Sequence, residues 1–357
     1  MFVSDRPEAM ESAFGLVGPW QRAGDALTEF DLAVFGRLAP GAPAWILGSA
    51  DGSPLSSACH DWHRVYLIDE APASQFDALR ELLSGASAKL PGPIAAIACS
   101  GRGFHGQRGR SWSSERGNLF LCAAIGHAFS IQDYALALTT LPAVVAVDGL
   151  RGAGVPSPRI KWVNDVLVDG HKVAGVLTAT QSTAGVVESA VFGIGMNVAS
   201  APEVTPTPFV PSVGAVRQLV DPRRCSSGSA GGSGHPSSGD SSDASLVRTA
   251  ELADMAGSVL ASLARRVRSL VEEGPSPTLA EYLDATRWLV GRRVRIYPES
   301  WVDTAATTDW PAPEAHGVVT SIGTDLSLTL SGTREPVQRG RLALEEACLE
   351  FGLEPLD

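Results

Sequence analysis

The amino-acid sequence predicts an α+β fold in which helices pack on a mixed or antiparallel sheet, followed by a small β-barrel. Between residues 63 and 198, strand-like and helix-like segments mix without the strict alternation of a doubly wound parallel sheet. After a long helix-like segment, short strand-like segments separated by turn residues fill residues 291–342, a density typical of a small barrel. We therefore expect one large domain and one small domain.

The predicted elements begin with a stretch of sixty residues that carries no strong topology signal. Within it, residues 29–38 are helix-like and residues 43–50 are strand-like. The large domain then continues as a strand at 63–71, a helix at 74–86, strands at 93–100 and 118–126, a long helix at 136–154, a hairpin of 160–170 with 171–181, and a strand at 187–198. The strands of the barrel are predicted at 291–301, 316–324, 326–332 and 334–342.

Residues 225–245 differ from the rest of the chain because they are nearly all Ser, Gly, Asp and Ala. Such a segment has too little apolar surface to offset its ordering entropy, which favours a flexible surface insertion over a linker between independent domains. A helix at 246–274 follows, and its apolar stripe is expected to pack on the preceding domain. The predicted units are an N-terminal extension of unclear role at 1–60, which is part of the large domain or packs on it, the large domain itself at 61–288 and a small domain at 289–357.

Composition excludes several classes of partner. The 357 residues are 44% hydrophobic and 19% charged, with a formal net charge of −11. Because nucleic-acid and anionic-membrane binding need many lysines and arginines on one face, neither partner is expected. Five scattered cysteines without CxxC spacing indicate reduced thiols and no zinc site. With no signal-like N-terminus and no run of about 18 apolar residues, a cytoplasmic protein is expected.

The stretch GRGFHGQRGRSW at 101–112 is a glycine-rich basic loop of the kind that binds phosphate. Glycines let backbone N–H groups approach an anion, and arginines add charge and planar donor forks. The loop lacks the GKS/T ending of a Walker A motif, and its GxGxxG spacing precedes a strand instead of opening a helix. The alternative is a solvated hairpin turn whose arginines keep it soluble.

Two further stretches carry candidate chemistry. In KWVNDVLVDGHKVAGVL at 161–177, a hairpin turning at Asp169-Gly170 would bring Lys161, Asp165 and Lys172 together around one ligand. Such a group suits nucleotidyl transfer, with lysines withdrawing phosphate charge and the Asp holding Mg²⁺ or a ribose hydroxyl, although an ordinary exposed hairpin has the same pattern. In VFGIGMNV at 191–198, glycines inside an apolar strand indicate close approach of a ligand, or a bulge or tight sheet contact.

Taken together, these three motifs resemble the biotin-protein ligase family of the biotin/lipoate ligase superfamily. That family has a GRGRxGRxW loop followed by SxxGNLxxS, a KWPND box with a further lysine before GIL, and a GIGxN strand. This chain has HGQRGRSWSSERGNLFLC, KWVNDVLVDGHKVAGVL and GIGMNV in the same order. The resemblance covers roughly residues 65–200. It implies a class II aminoacyl-tRNA synthetase-like catalytic domain, and the segment from Gly291 to Leu342 is similar to the family's SH3-like barrel.

The resemblance implies a two-step reaction. Biotin and ATP form biotinyl-5′-AMP and pyrophosphate with Mg²⁺, and the biotinyl group then passes to a lysine of a biotin carboxyl carrier domain. A mobile basic loop suits this chemistry because it must admit substrates and then cover a reactive anhydride. The oligomeric state stays open, with a homodimer as one alternative. A lipoate or octanoate ligase on the same fold and a non-catalytic acyl-ligand sensor are the competing functions.

The family match also implies residue roles. Lys172 takes the position that contacts the biotin carboxyl and adenylate oxygens, and catalysis is assigned to it together with Lys161, Asp165 and Arg110, with Asp165 also as the metal ligand. Trp112 is expected to pack on the adenine side of the pocket. Substrate and nucleotide binding is assigned to Ser74, Gln75, His105, Gly106, Gln107, Arg108, Gly109, Trp112, Asn164, Gly175, Gly193, Gly195 and Asn197.

Overall fold

A computed structural model describes residues 1–48, 50, 52–84, 90–220, 251–301 and 310–356. The predicted insertion at 225–245 lies outside these residues, as do the first five residues of the helix predicted at 246–274. Elements are numbered below in chain order within the described part.

Ten strands of the described chain form one large sheet in the order β2-β3-β1-β4-β5-β6-β10-β9-β8-β7. The pairs β1–β4 and β4–β5 are parallel, and the other neighbours are antiparallel, so the sheet is mixed as the sequence predicts. The strands are β1 (Phe2–Ser4), β2 (Gln21–Arg22), β3 (Trp45–Leu47), β4 (Arg64–Ile68), β5 (Ile94–Ala98), β6 (Leu119–Ser130), β7 (Arg159–Lys161), β8 (Asp165–Val168), β9 (His171–Thr183) and β10 (Val186–Met196).

Helices cover both faces of this sheet, which is why its central strands are apolar on both sides. The described helices are α1 (Pro7–Phe14), α2 (Glu29–Leu38), α3 (Pro54–Ala58), α4 (Gln75–Leu83), α5 (Ile131–Gly152), α6 (Val216–Leu219), α7 (Leu252–Glu272), α8 (Ser276–Thr286) and α9 (Glu345–Glu350). The core on one face joins α5 and α7 to the sheet, and the core on the other face joins α2 and α4 to it.

Local sequence explains where several of these elements begin and end. Thr28 and Asp31 form a reciprocal capping box at the start of α2. Gly15 closes α1 in the left-handed conformation, with φ of 63°. The turn between β8 and β9 is made by Asp169 and Gly170, both with positive φ, as the DG signal predicts.

The small domain contains a second sheet of four antiparallel strands, β11 (Arg293–Tyr297), β12 (Ala315–Ile322), β13 (Leu328–Leu330) and β14 (Arg341–Leu344), in the order β13-β12-β11-β14. This sheet packs on the turn between β7 and β8, because Trp162 and Val163 join its apolar core. The Trp162 indole N–H donates to the Leu326 carbonyl at 2.8 Å, and that of Trp288 donates to the Ile160 carbonyl at 2.9 Å. The two sheets are therefore joined at the KWVND segment.

The predicted α+β class is confirmed, and the strands and helices predicted between 63 and 198 occur near their predicted places. The segment 334–342 is mostly not a strand, because β14 begins only at Arg341. One described helix, α5, is long and apolar enough to cross a membrane by length and composition. Of the most apolar 18-residue window of α5, 67% is buried inside the protein, so α5 is a core helix of this fold.

Candidate active site

A cavity of about 430 Å³ lies on the sheet where β9 and β10 meet the basic loop and the segment 202–213. Strands β9 and β10 pair with Gly195 opposite Gly175 and Gly193 opposite Leu177, which gathers three glycines into one strip of the sheet. Residues from α4, β6 and β14 complete the wall. The lining includes Ser74, Gln75, Phe76, Phe104, His105, Gly106, Gln107, Arg110, Trp112, Cys122, Asn164, Lys172, Gly175, Gly193, Gly195, Asn197, Val204, Val210 and Arg341.

The Trp112 indole occupies the strip that these glycines leave open. A Cβ atom at Gly195 would lie 2.7 Å from Trp112 Cε2, and one at Gly175 would lie 2.8 Å from Trp112 Cζ3. Either distance is below normal van der Waals contact, so only glycine at both positions lets the indole pack against the sheet. The Trp112 Nε1 atom is buried without a hydrogen-bond partner, and so is Asn197 Oδ1. Both residues line the cavity, so one donor and one acceptor are left unpaired in its wall.

Lys172 and Asp165 form an ion pair at the edge of this cavity. Lys172 Nζ lies 2.7 Å from Asp165 Oδ1, and both side chains are mostly buried. The same ammonium lies 5.5 Å from the centre of the Trp112 ring, within the range of a cation–π contact. Burial alone would raise the pKa of Asp165, but the charges of Lys172 and Lys161 hold it below its usual range. The lysine is therefore held in place before any ligand arrives.

Lys161 lies close to this pair but does not line the main cavity. Its ammonium donates to the backbone carbonyl of Phe209 and is almost completely buried. Lys161, Asp165 and Lys172 share a second, smaller cavity of about 30 Å³ with the segment 208–212. Burial lowers the pKa of Lys161 to about 8. Lys161 thus fixes one wall of the site through Phe209.

We expect the stability contribution of Lys161 to change with pH. The folded protein releases the Lys161 proton near pH 8, whereas the unfolded chain keeps it until about 10.5. Because the unfolded state then binds more protons, the free energy of unfolding should rise between these values. The measurement is denaturant unfolding of the wild type and of Lys161→Met across pH 7 to about 10.5. A difference between the two proteins that stays constant with pH would contradict this prediction.

The basic loop forms a short hairpin that reaches over the cavity. Its backbone pairs Gly106 N with the Arg110 carbonyl at 2.7 Å and Trp112 N with the Phe104 carbonyl at 2.8 Å. The tip residues Arg108 and Gly109 both have positive φ. The loop is therefore a hairpin, the shape that the solvated-turn alternative expects, but the residues at its base line the cavity.

The arginines of this loop have different surroundings. Arg110 lines the cavity, and its Nε donates to the Gln107 carbonyl at 3.2 Å. Arg108 points away and forms an ion pair with Glu299, which follows β11. The His105 ring nitrogens lie 2.9 Å from the Gly106 carbonyl oxygen and 2.7 Å from Asp77 Oδ2. Both contacts raise the pKa of His105, and the contact with the Gly106 carbonyl has the larger effect.

The model of the biotin/lipoate A/B protein ligase family matches residues 85–197, the segment that supplies the loop, the Lys172–Asp165 pair and the glycine strip. The match covers about a third of the chain, so it is this segment that resembles the family. The chain is also similar to the biotin--[acetyl-CoA-carboxylase] ligase of Paracoccus denitrificans, with 39% identity over 127 residues that cover 33% of this chain and 51% of that protein. It is 37% identical over 93 residues to the bifunctional ligase/repressor BirA of Bacillus spizizenii, covering 26% and 29% of the two chains.

The chain therefore matches about half or less of the length of these two curated ligases. Among solved structures, it is similar to the biotin protein ligase from Aquifex aeolicus in complex with biotin and ATP. That comparison has a TM-score of 0.48 and 15% identity, and covers 79% of this chain and 99% of the other.

Most residues that the ligase motifs single out meet in the main cavity. Four do not line it: Lys161 and Asp165 lie in the adjoining small cavity, and Arg108 and Gly109 form the loop tip. Ser74 caps α4 by accepting from Asp77 N at 3.3 Å. Gln75 is buried, and with its amide oriented to satisfy both atoms it accepts from Ala98 N at 3.3 Å and donates to the Phe120 carbonyl at 3.2 Å. The functional roles of these residues stay predictions.

The resemblance to the ligases implies a nucleotide with Mg²⁺, but the side chains described around Asp165 do not build a magnesium site. Asp165 is already paired with Lys172 and lies near a second lysine, so a cation there would face two positive charges. The described residues also contain no group of three His, Cys, Asp or Glu side chains placed to hold a metal. The structure therefore gives no support to Asp165 as a metal ligand.

Sequence reasoning missed the part of the site that comes from distant segments. Arg341 of β14 lines the cavity, donates to the Trp301 carbonyl at 2.8 Å and lies 3.7 Å from the centre of the Phe209 ring. Phe209 in turn packs against Tyr297 and Trp310 of the small domain. In the sequence, only the four prolines and Phe209 of residues 202–211 indicate an ordered segment, and no pattern marks Arg341 as its neighbour.

Proposed function

We propose that this protein is an ATP-dependent biotin-protein ligase, which adenylates biotin and transfers the biotinyl group to a lysine of a biotin carboxyl carrier domain. The observation that carries this proposal is the Lys172 ammonium, fixed by Asp165 at the wall of a cavity lined largely by the segment that matches the family. The names of the similar curated ligases support the choice of biotin and of the carrier.

In the first step, a carboxylate oxygen of biotin attacks the α-phosphorus of ATP, and pyrophosphate leaves. Negative charge builds on the oxygens that join the two substrates, and a preorganised ammonium stabilises that charge more than it stabilises the separate substrates. Lys172 has the position for this role, because Asp165 and the Trp112 ring leave its ammonium little freedom. Mg²⁺ would enter with the nucleotide phosphates.

In the second step, the amine of the carrier lysine attacks the acyl carbon, and AMP leaves. The mixed anhydride must be kept from water until the carrier arrives. The loop hairpin and the segment 202–213 provide this cover, with Trp112 and Val210 as apolar parts of the wall. The unpaired Trp112 Nε1 and Asn197 Oδ1 would bind one acceptor and one donor of the adenylate.

The direct test is to incubate the protein with ATP, Mg²⁺ and one of biotin, lipoate or octanoate, and to identify acyl-AMP by mass spectrometry. Biotinyl-AMP, followed by biotinylation of a purified carrier domain, is the expected result. Formation of lipoyl-AMP or octanoyl-AMP alone would identify the protein as a lipoate or octanoate ligase instead of a biotin ligase. Binding of an acyl ligand with no acyl-AMP would indicate a sensor and overturn the proposed activity.

We expect Arg110→Ala to speed the release of biotinyl-AMP with little effect on stability. Arg110 lies at the loop base inside the cavity, and a charge-assisted contact to phosphate contributes about 1.5–3 kcal/mol, or roughly a 10- to 150-fold change in release rate. Release can be followed by trapping labelled adenylate from purified complex. Arg102→Ala is the matched control, because Arg102 is 80% exposed and pairs with Glu70 outside the cavity. Equal release rates from both variants would contradict a phosphate-binding role for Arg110.

A further inference from the structure

A buried carboxylate outside the cavity joins the N-terminal extension to the basic loop. Asp69 follows β4, and its side chain is only 7% exposed. Arg6, which lies in the extension, places Nη1 2.7 Å from Asp69 Oδ2, and Arg116, at the end of the loop, places Nη1 2.6 Å from Oδ1. Asp5 adds a fourth member, since its Oδ1 accepts from the Asp69 backbone N–H at 3.0 Å.

The two ends of the loop are tied together next to this cluster. Ala71 N donates to the Ser100 carbonyl at 2.9 Å, and Arg102 N donates to the Ala71 carbonyl at 3.0 Å. Across the stem, the Ser114 hydroxyl donates to the Gly101 carbonyl. Gly101 fits this stem only without a side chain, because a Cβ atom there would lie 2.8 Å from the Ala71 carbonyl oxygen. The loop thus leaves and re-enters the fold at one narrow point.

The charges around Asp69 stabilise the place where the loop leaves and re-enters the fold. Burial alone would raise the pKa of Asp69, but hydrogen bonds from Arg116 and Arg6 lower it, so the carboxylate stays ionised. A buried carboxylate left without any cationic partner costs more than an exposed ion pair contributes, so losing both pairs should matter more than losing one. Neither Arg6 nor Asp69 lines the cavity, so any effect of either on the site must pass through the loop stem.

We propose that Asp69 and Arg6 are positioning residues that hold the stem of the basic loop, so that the N-terminal extension sets how the loop closes over the site. This gives residues 1–60 a role in the large domain. The kinetic consequence rests on the proposed ligase activity. The restraint on the loop is a property of the protein without ligand, and it can be measured separately.

The first measurement is hydrogen exchange of residues 103–112, together with tryptic cleavage after Arg108 and Arg110, in the ligand-free full chain. Arg6→Ala should raise both rates about two- to five-fold, the range expected when one partly exposed ion pair is lost. Asp69→Asn, which weakens both pairs, should raise them about ten-fold. Arg22→Ala is the matched control, because Arg22 stacks on Trp45 in the same extension without touching the loop.

The second measurement separates positioning from a general loss of stability. Arg6→Ala should leave the thermal midpoint close to that of the wild type, raise the KM for biotin or the adenylate release rate, and be restored by Arg6→Lys. Unchanged exchange and cleavage of the loop in both Arg6→Ala and Asp69→Asn would overturn the proposal. If no acyl-AMP forms in any protein, the proposed function fails, but the exchange and cleavage rates still decide whether Asp69 holds the loop.

Discussion

Replacing Lys172 with alanine is expected to lower the rate of adenylate formation by roughly 10²-fold or more, as the loss of one preorganised electrostatic contact does in other enzymes. The Lys172 ammonium lines the cavity and is already fixed by the Asp165 carboxylate, 2.7 Å away. Pyrophosphate release in the presence of ATP and biotin measures the effect. Lys172→Arg should restore little, because a planar guanidinium fork does not reproduce the point charge that the ammonium places beside Asp165 and Trp112.

Loss of Lys172 also leaves Asp165 without its nearest partner, and this could lower activity by disturbing the fold. The double variant Lys172→Ala with Asp165→Asn removes that unpaired charge. We expect it to regain stability in denaturant unfolding while it stays inactive. Pyrophosphate release near the wild-type rate from a folded Lys172→Ala protein would move the catalytic role to other cations of the site.

Gly195→Ala is expected to have the next largest effect. The added methyl group would lie 2.7, 2.8 and 3.0 Å from three atoms of the Trp112 indole, so the ring must shift into the cavity. A misplacement of about 1 Å in a binding site can cost roughly 10²-fold in rate. We expect kcat/KM for adenylation to fall by that order, while overpacking costs about 1–3 kcal/mol in stability. Steady-state kinetics and thermal unfolding measure the two effects.

Two variants test whether the Trp112 ring is the cause. Gly126→Ala makes the same change in β6, where the new atom meets Leu90 at an ordinary distance of 3.4 Å, so activity should be retained. Adding Trp112→Phe to Gly195→Ala makes room and should recover part of the loss. Equal activity of Gly195→Ala and the wild type would show that the indole can leave the glycine strip without consequence.

The sequence predicts the hairpin of β8 and β9 well because local chemistry determines it. The DG turn selects the connection, and the strand pairing that follows brings Lys172 close to Asp165. The glycines of VFGIGMNV were also recognised as positions of close approach. Sequence alone left open whether a ligand or another chain segment approaches them, and in the structure the Trp112 indole fills that space beside Gly195.

The parts that could not be predicted depend on pairs far apart in the chain. Arg6 meets Asp69 across 63 residues, and Arg341 reaches Phe209 from the other domain. Neither arginine lies in a periodic or glycine-rich pattern, and an ion pair leaves no local signal in either strand or helix propensity. Arg108 is a further example. The composition of its loop predicts phosphate binding, but in the structure its side chain pairs with Glu299.

The position of Arg341 in the cavity wall has a consequence for biosynthesis. Lys172, Trp112 and the glycine strip leave the ribosome first, and at about 5–20 residues per second the strand that carries Arg341 follows roughly ten to thirty seconds later. During that interval the nascent chain has Lys172 and Arg110 but lacks Arg341 and the side of the cavity wall that it forms. The aromatic cluster that holds Phe209 is also missing, since Tyr297 and Trp310 emerge late. Translation order therefore makes this pocket one of the last features of the molecule to mature.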